Sequence, residues 1–249
     1  MIDFHCHLLH GIDDGSRNLE TSIDILKESA EQGVRRIVAT PHFYAWEMSI
    51  DSFLSKRQAA YDELRSALRE RGLKLMGEDG CTGGLPELML GAEVAFFDNM
   101  AASERIHELA ITGTDIIMVE MPFIDWEEHH LREIALLADE FTVIIAHIER
   151  FMTRGNRKGI GELLAMSRVK PIKIQVNAGA FENRRLRRRL MKIFASGEAH
   201  MLGSDCHGMH RRPPNLAAGA EAIRGHLGEK ALDRIYKENE ELIRGSARC

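Results

Sequence analysis

Short apolar segments alternate with amphipathic segments along this chain of 249 residues, and this alternation restricts the fold more than any other feature. The apolar segments are nearly continuous runs of Val, Ile, Leu and Met, as expected for parallel strands buried on both faces. Seven are found, at residues 1–5, 35–42, 88–97, 115–122, 142–150, 172–181 and 199–207. Alternating strands and helices favour a parallel α/β fold. Seven units fit a barrel better than the alternative, an open doubly wound sheet.

Helical spacing of apolar residues predicts a helix after each of these strands. The predicted helices cover residues 19–32, 51–71, 101–109, 127–139, 161–167, 183–197, 215–226 and 229–244. The Gly-rich segment from Gly77 to Pro86 is predicted to be an inserted loop. No low-complexity linker marks a boundary, so residues 1–249 are predicted to form a single domain.

Composition excludes several classes of protein. Lys and Arg total 33 and Asp and Glu total 38, which leaves no overall basic footprint for nucleic acid. No run of about 18 apolar residues predicts a membrane span, and no signal peptide is apparent. We therefore expect a cytoplasmic protein in which the scattered Cys6, Cys81, Cys206 and Cys249 are free thiols.

Every predicted strand carries a polar or ligand-type residue near its carboxyl-terminal end. In a parallel barrel these ends share one face, where catalytic residues collect. One such strand would mean little, but seven together predict a functional site. The residues are His5, His7, His42, Glu93, Glu120, His147, Arg150, Asn177, Asp205 and His207.

The spacing of two pairs indicates a metal site in particular. His5 and His7 are two residues apart, so on a strand they point to the same side, and Asp205 and His207 repeat this spacing. Cys6 and Cys206 lie between the members of each pair and should point the other way. Imidazole and carboxylate ligands suit Zn, Mn or Fe, and the turn "GIDDG" could bring a further carboxylate over the same opening.

The motifs resemble those of a known superfamily. In order, "DFHCHLLHGIDDG", "ATPH", "GAEV", "VEMP", "AHIERF", "QVNAGAF" and "GSDCH" are similar to the motifs of the PHP (polymerase and histidinol phosphatase) superfamily. Within it they resemble the bacterial tyrosine-protein phosphatases of the CpsB/YwqE type, which are encoded with capsule and exopolysaccharide genes. The resemblance runs from Asp3 to about Arg212.

The resemblance implies a distorted (β/α)7 TIM-like barrel of the PHP type that holds three divalent metal ions, usually Mn²⁺, with Fe or Zn as alternatives. Carried over position by position, it assigns nine ligands in three groups. These are His5, His7, Glu93 and Asp205 for one metal, Glu93 as a bridge with Glu120 and His147 for the second, and Asp14, His42 and His207 for the third. Arg150 and Arg212 match the family's phosphate-binding arginines.

The implied function is hydrolysis of phosphotyrosine on a protein, with a bacterial tyrosine autokinase that controls capsular or exopolysaccharide synthesis as the expected partner. Water activated by the metals would attack phosphorus, while the metals and both arginines stabilise charge on the equatorial oxygens. Because the pKa of a tyrosine leaving group is about 10, it needs little help from a general acid. If one acts, His207 or Asp14 is the candidate.

Three alternatives remain open at the level of sequence. Cys206 and Arg212 have the C-x5-R spacing of a thiol phosphatase, although Gly208 and Pro213 depart from that loop. Another PHP-type phosphoesterase, such as a histidinol-phosphate phosphatase, shares the same motifs. "NRRLRRR" (Asn183 to Arg189) could bind a polyanion, but the spacing of its leucines favours an amphipathic helix with a solvated basic side.

Two positions and one segment depart from the family pattern without removing a ligand. His10 stands where the family usually has Pro, and Phe43 stands where a second His is often found. The segment from Gly77 to Pro86 has no obvious counterpart. These departures concern substrate contacts at the barrel opening, and no role is predicted for His10.

Overall fold

The computed structural model describes residues 1–80 and 83–246. Its strands are β1 Ile2–Cys6, β2 Arg36–Ala39, β3 His42–Phe43, β4 Glu87–Leu90, β5 Glu93–Ala95, β6 Ile116–Glu120, β7 Thr142–Ile145, β8 Ile172–Asn177 and β9 Met201–Gly203. Its α-helices are α1 Leu19–Glu31, α2 Ile50–Glu70, α3 Glu128–Leu137, α4 Arg157–Met166, α5 Arg184–Ala195, α6 Leu216–Leu227 and α7 Glu229–Gly245.

All strand pairs that the described residues form are parallel. One sheet has the order β1-β2-β4, and the other has the order β3-β5-β6-β7-β8-β9. The two meet because the backbone N–H of Asp205 donates to His5 O at 2.8 Å and that of His7 donates to Cys206 O at 2.9 Å. A parallel bridge between Cys6 and Cys206 therefore brings β1 alongside the end of β9. This arrangement confirms the predicted distorted barrel.

Two predicted strands are each interrupted in the structure. The predicted strand at 35–42 becomes β2 and β3, and the one at 88–97 becomes β4 and β5. Pro41 lies in the first gap and cannot donate a ladder hydrogen bond. Gly91 lies in the second gap, where an added Cβ would meet Val38 Cγ1 at 3.2 Å. Both interruptions occur at the level where the ligand-type side chains begin.

The helix predicted at 101–109 is wrong in type. The structure has two short 3-10 helices there, Met100–Ala102 and Ile106–Leu109, separated by extended backbone at Ser103. The predicted loop at 77–86 contains a 3-10 turn, Glu78–Gly80, and a bridge between Leu75 and Leu85 joins its end to the residues before it. Cys81 lies in that segment and, like Cys249, is outside the described residues.

The helices begin and end for local reasons. The Asn18 side chain caps α1 by accepting from Thr21 N at 2.9 Å, and Asn183 caps α5 by accepting from Arg185 N at 3.0 Å. The amphipathic helix predicted for "NRRLRRR" is confirmed, since Leu190 is buried and most of the arginines are exposed. No helix of the described residues is both long and apolar enough to cross a membrane.

Two apolar clusters divide the core. The smaller cluster draws mainly on strand residues, including Phe4, Met118 and Met201, and is capped by Ile243 of α7. This composition places it inside the barrel. The larger cluster joins strand residues such as Cys6 to residues of the surrounding helices, so it fills the space between strands and helices. The interior cluster forms the floor on which the polar end of the barrel rests.

A bulge in β1 decides which side chains face the barrel interior. Asp3 pairs with Ile37 and Cys6 with Ala39, so β1 carries one extra residue between them. Phe4 lies in the interior cluster, whereas Cys6 lies in the outer one. The Asp3 carboxylate holds this region by accepting from His5 N at 3.2 Å and from Ser204 N at 2.9 Å. The bulge therefore turns the side chains after Phe4 so that His5, not Cys6, enters the barrel opening.

Candidate metal centre

The structure brings the nine predicted ligands together at one end of the barrel. Each lies in a strand near this end or in the loop that follows a strand. Seven of them are buried, namely His5, His7, Glu93, Glu120, His147, Asp205 and His207. His42 is slightly exposed, and Asp14, on the loop after β1, is the outermost, with 68% of its side chain exposed. The nine candidate ligands therefore extend from the buried interior of the barrel to its solvent-exposed end.

The innermost group consists of His5, His7, Glu93 and Asp205. The Nε2 atoms of the two histidines are 3.0 Å apart. Glu93 Oε2 lies 3.2 Å from His5 Nε2 and 3.3 Å from His7 Nε2. Asp205 Oδ1 lies 3.6 and 3.5 Å from the same two nitrogens. Four ligand atoms therefore converge on one small volume, as around a single metal ion.

A second group shares Glu93. His147 Nε2 lies 2.7 Å from Glu93 Oε1 and 3.2 Å from Glu120 Oε1. His42 Nδ1 approaches the other oxygen of Glu93, Oε2, at 2.9 Å. The two oxygens of one carboxylate thus face different sets of ligands, which is the position of a bridging ligand.

The third group lies nearest to the solvent. Asp14 Oδ1 is 3.3 Å from His207 Nε2 and 3.6 Å from His42 Nε2. His7, His42 and His207 also offer nitrogens within 4.8 Å of one another. These groups adjoin one another through His7 and His42, so the nine residues form one continuous centre.

The polar atoms of this centre are arranged to bind cations and form few hydrogen bonds among themselves. Among the described residues, His42 Nδ1, Glu93 Oε2 and His207 Nε2 are buried and approach other polar atoms without forming a hydrogen bond of acceptable geometry. An unpaired buried polar atom is costly. Imidazole nitrogens and carboxylate oxygens in this number and spacing suit Mn, Fe or Zn. The donor set therefore fits divalent metal ions.

Asp13 orients two residues of the centre. Its Oδ2 is 2.7 Å from His7 Nδ1 and accepts from His42 N at 2.9 Å. Holding Nδ1 in this way turns His7 Nε2 toward the centre. Gly15 makes this turn possible, because an added Cβ would lie 2.4 Å from His7 O. The "DDG" turn thus supplies a supporting carboxylate in Asp13 and a candidate ligand in Asp14.

A second supporting chain starts at Gln175, which sequence reasoning missed. Gln175 Oε1 accepts from His147 N at 2.6 Å and lies 3.3 Å from His5 Nδ1. Its Nε2 donates to Asn177 Oδ1 at 2.9 Å, and Asn177 Nδ2 donates to Asp205 Oδ2 at 2.8 Å. The alternation of Gln175 and Asn177 on β8 was a usable signal, because it repeats the spacing of His5 and His7.

Two candidate ligands have left-handed backbone conformations. His147 has φ 28° and Asp205 has φ 51°. Such conformations cost on the order of 1–3 kcal/mol for a residue other than glycine and cluster at functional sites. The hydrogen bond from His147 N to Gln175 and the one from Asp205 N to His5 O hold them in place. After β7 the left-handed turn brings His147 inward although its neighbour Ala146 already faces the interior.

The charges and the burial of the centre shift the pKa values of its side chains. Burial alone would raise the pKa of Glu93, but the charge of His5 and the close contacts with His147 and His42 bring it well below its usual value. Burial would likewise raise the pKa of Asp13, but the contact with His7 lowers it to about 2. Burial, together with the charge of His7, lowers the pKa of His207 to about 4. His207 is therefore neutral near pH 7, the form that binds metal.

Two arginines lie over the centre. Arg150 Nη2 donates to Asp205 Oδ2. Arg212 Nη1 donates to Asp205 Oδ1 at 3.2 Å, and its Nη2 donates to Asp14 Oδ2 at 3.3 Å. About a third of each arginine side chain is exposed. Both guanidinium groups are thus placed where a phosphate entering from solvent would meet them.

The geometry argues against the thiol-phosphatase alternative. Cys206 is fully buried in the outer core, and its Sγ donates to Gly208 O at 3.6 Å. Arg212 contacts Asp205 and Asp14. A nucleophilic thiolate needs exposure and a positive environment, and Cys206 lacks the first. His10, for which the sequence offered no role, pairs with Glu63 of α2 at 3.1 Å.

Sequence reasoning also missed the aromatic residues around the opening. The ring of Tyr44 stacks on His42 with centroids 5.2 Å apart, and Trp46 contacts Tyr44 at 5.1 Å. The ring of Phe123 is stacked with that of His147 at 6.4 Å. The only available signal was position, since Tyr44 follows the motif "ATPH" and Phe123 follows "VEMP".

Comparisons with known proteins find similarity over nearly the whole chain. A family model described as "Capsular polysaccharide synthesis, CpsB/CapC" matches residues 1–244. The chain is 23% identical to the tyrosine-protein phosphatase CpsB of Streptococcus agalactiae serotype III (strain NEM316) over 254 residues, which cover 98% of each chain. It is 26% identical to the tyrosine-protein phosphatase YwqE of Bacillus subtilis (strain 168), with coverage of 98% of this chain and 91% of the relative.

The fold matches a solved structure over the whole chain. That structure comes from work on YwqE of Bacillus subtilis and CpsB of Streptococcus pneumoniae, described as unique metal-dependent tyrosine phosphatases. The TM-score is 0.82 at 20% sequence identity, and the match covers 100% of this chain and 96% of the other. At this identity the likeness establishes the fold.

Proposed function

The chain belongs to the CpsB/CapC family of capsular polysaccharide synthesis proteins, and from this membership we propose that it is a metal-dependent protein-tyrosine phosphatase. The observation that carries the proposal is the convergence of nine ligand-type residues at one barrel opening with Arg150 and Arg212 above them. The reaction is hydrolysis of a phosphoric monoester. Relatives that match nearly the whole chain bear the name tyrosine-protein phosphatase.

We propose that this centre holds three divalent metal ions, with Mn²⁺ preferred. His5, His7, Glu93 and Asp205 would hold the innermost ion. Glu93 would bridge to a second ion with Glu120 and His147, and Asp14, His42 and His207 would hold the third. When bound, such ions lower the pKa of a water and act as Lewis acids toward phosphoryl oxygens.

The chain's own residues supply binding and orientation. Four carboxylates cannot neutralise three divalent ions, so the loaded site would keep a positive charge suited to a phosphate dianion. Arg150 and Arg212 would bind the equatorial oxygens, because a guanidinium donates two parallel hydrogen bonds to a phosphate. Asp13 and Gln175 hold the imidazoles of His7 and His5 in position. Asp14 and His207, the two candidates for a general acid, lie 3.3 Å apart at the outer edge of the centre.

The proposed substrate is a phosphotyrosine protein, namely a bacterial tyrosine autokinase that controls capsular or exopolysaccharide synthesis. The description of the family supports the link to capsule synthesis. The proposal places the enzyme in the cytoplasm, where ATP-dependent phosphorylation of such a kinase takes place. It also treats residues 1–249 as one phosphatase domain.

The test compares phosphate release from three substrates. Chelator-treated protein is assayed with and without added Mn²⁺ on a phosphotyrosine peptide, on the phosphoserine peptide of the same sequence and on histidinol phosphate. We expect Mn²⁺-dependent hydrolysis of the phosphotyrosine peptide. Preferred hydrolysis of histidinol phosphate would instead assign a small-molecule phosphoesterase. Hydrolysis at the same rate with and without chelator would refute the metal-dependent mechanism.

A further inference from the structure

Exposed apolar side chains are concentrated at the end of the barrel that carries the candidate metal centre. Among the described residues, five large hydrophobic side chains are strongly exposed: Trp46, Phe123, Ile124, Leu136 and Val169. The first three follow β3 or β6, on the side of the centre. Val169 precedes β8 and therefore lies at the opposite end. Apolar surface beside a charged centre calls for an apolar ligand group.

These aromatic residues form two walls. The first wall consists of Tyr44, whose ring is stacked on His42 at an angle of 21°, and Trp46, whose ring contacts Tyr44. The second wall is Phe123, whose ring lies 4.9 Å from Phe151 and is stacked with His147 at an angle of 24°.

The two walls cover histidines that approach the two different oxygens of one carboxylate. His42 Nδ1 lies 2.9 Å from Glu93 Oε2, and His147 Nε2 lies 2.7 Å from Glu93 Oε1. Since Tyr44 covers His42 and Phe123 covers His147, the walls flank Glu93 and the metal positions next to it. A group held at those positions therefore lies near both walls as it extends toward solvent.

The exposure of the outer rings shows that they do more than cover the histidines. Phe123 is anchored on the buried Phe151, yet 63% of its own surface is exposed. Trp46 is anchored on Tyr44, yet 64% of its surface is exposed. A ring that served only as a cover would gain stability from being buried itself. Each outer ring instead keeps most of its surface open to solvent.

We propose that Trp46 and Phe123 form a clamp for the phenyl ring of the substrate and thereby select phosphotyrosine over phosphoserine. The inference rests on the proposed function, because it needs the phosphate to be seated at the metal centre. Offset and edge-to-face contacts between aromatic rings stabilise binding beyond the area that they bury. The phosphoserine side chain lacks the ring and cannot make these contacts.

The clamp acts on binding, which defines the kinetic signature of its loss. Contacts to the ring are the same in the ground state and in the transition state, so their removal raises KM and leaves kcat nearly unchanged. We expect Phe123→Ala and Trp46→Ala each to lower kcat/KM on a phosphotyrosine peptide by about tenfold. The corresponding phosphoserine peptide should be affected little. Phe123→Tyr keeps a ring and should restore the wild-type value.

A binding experiment tests the clamp without turnover. Binding of phenylphosphonate and of methylphosphonate to the Mn²⁺-loaded enzyme is measured by calorimetry, since the two differ only in the ring. The wild type should prefer phenylphosphonate by about tenfold or more, and Phe123→Ala and Trp46→Ala should bring the ratio toward one. Val169→Ala is the matched control, because it removes an exposed apolar side chain at the far end and should leave the ratio unchanged.

The outcomes separate this inference from the proposed function. If the wild type hydrolyses the phosphotyrosine peptide with Mn²⁺ but an unchanged phosphonate ratio is found in either variant, the clamp is overturned and the phosphatase assignment stands. If the wild type has no Mn²⁺-dependent activity on the peptide, the proposed function itself is refuted. A lowered ratio in both variants with normal binding of methylphosphonate supports the clamp.

Discussion

At the scale of single residues, the direction of a side chain decides between chemistry and packing. Cys6 lies between His5 and His7, and Cys206 lies between Asp205 and His207, yet both thiols are buried in the outer core. The Cys6 and Cys206 positions pair with each other where β1 meets the end of β9. Contact with Cys206, together with burial, raises the pKa of the Cys6 thiol well above its usual range. Adjacent positions on one strand end therefore serve different purposes.

Asp205→Asn and Cys206→Ser form a matched pair that tests this division. We expect Asp205→Asn to lower phosphatase activity by more than about 100-fold, because it removes a candidate ligand that is also held by Asn177 and Arg150. Cys206→Ser should keep most of the activity. Both are measured on a phosphotyrosine peptide with Mn²⁺, and metal content is determined by elemental analysis.

His42→Ala removes a second candidate ligand, one that lies 2.9 Å from Glu93 Oε2, and should have an effect of similar size. Retained activity in Asp205→Asn or His42→Ala would refute the ligand assignment. If Cys206→Ser is folded and loaded with metal but has lost its activity, the result would support the thiol mechanism instead.

At the scale of elements, small irregularities in the strands turn the candidate ligand side chains toward the barrel opening. The bulge in β1 moves His5 inward, and the left-handed backbone of His147 does the same after β7. Both departures lie at the level where the apolar floor gives way to the polar centre. Strands of unbroken alternation would have put Cys6 in the barrel opening instead of His5 and His7.

The junction of β8 and β9 predicts a pH dependence of stability. The backbone N–H of Ile174 donates to His200 Nδ1 at 3.0 Å, so the folded protein requires the neutral ring. Burial, and to a smaller extent the charge of Lys173, lower the pKa of His200 from 6.5 to about 4. The unfolded chain thus binds a proton between these values while the folded protein does not. Stability from this group is present above pH 6.5 and is lost as the pH falls toward 4.

His200→Asn isolates this contribution, because the Asn oxygen can accept the same hydrogen bond without titrating. Between pH 7 and pH 5 the free energy of unfolding of the wild type should fall by on the order of 1 to 2 kcal/mol more than that of the variant. Urea unfolding at both pH values measures the difference. Parallel pH profiles of the two proteins would contradict the prediction, while His7 and His147 titrate in both and cancel.

At the scale of the whole molecule, the candidate metal centre joins segments that are far apart in sequence. Its ligands follow or belong to β1, β3, β5, β6, β7 and β9. These include the junction at which β1 meets the end of β9. A metal ion bound there would link both sheets and oppose opening of the barrel. The interior cluster with Phe4 and Met118 supports the centre from below.

Removal of metal should therefore lower thermal stability. A ligand that binds only the folded state at 100 times its Kd contributes about 2.7 kcal/mol. For a chain of this size that corresponds to a fall in Tm of roughly 5 to 10 °C on chelation. Differential scanning calorimetry with EDTA, and again after Mn²⁺ is restored, measures the change. The Asp205→Asn variant should respond less, and an equal Tm with and without chelator would contradict metal binding at this centre.

The amino-acid sequence by itself determined the alternation of strands and helices and the end at which ligand-type residues collect, and it favoured a barrel over an open sheet. It could do so because hydrophobic periodicity is local and because the carboxyl ends of parallel strands share one face. The spacing of His5 and His7 was likewise enough to predict that they point to the same side.

Only the tertiary structure decided the details that depend on distant partners. The bulge in β1 is held by Asp3 through Ser204, about 200 residues away, and Gln175 joins His5 to His147 through contacts between different strands. The stacking of Tyr44 on His42 and of Phe123 with His147 arises only when the loops after β3 and β6 close over the centre. Local patterns set the elements, whereas the directions of side chains at the site follow from packing between elements.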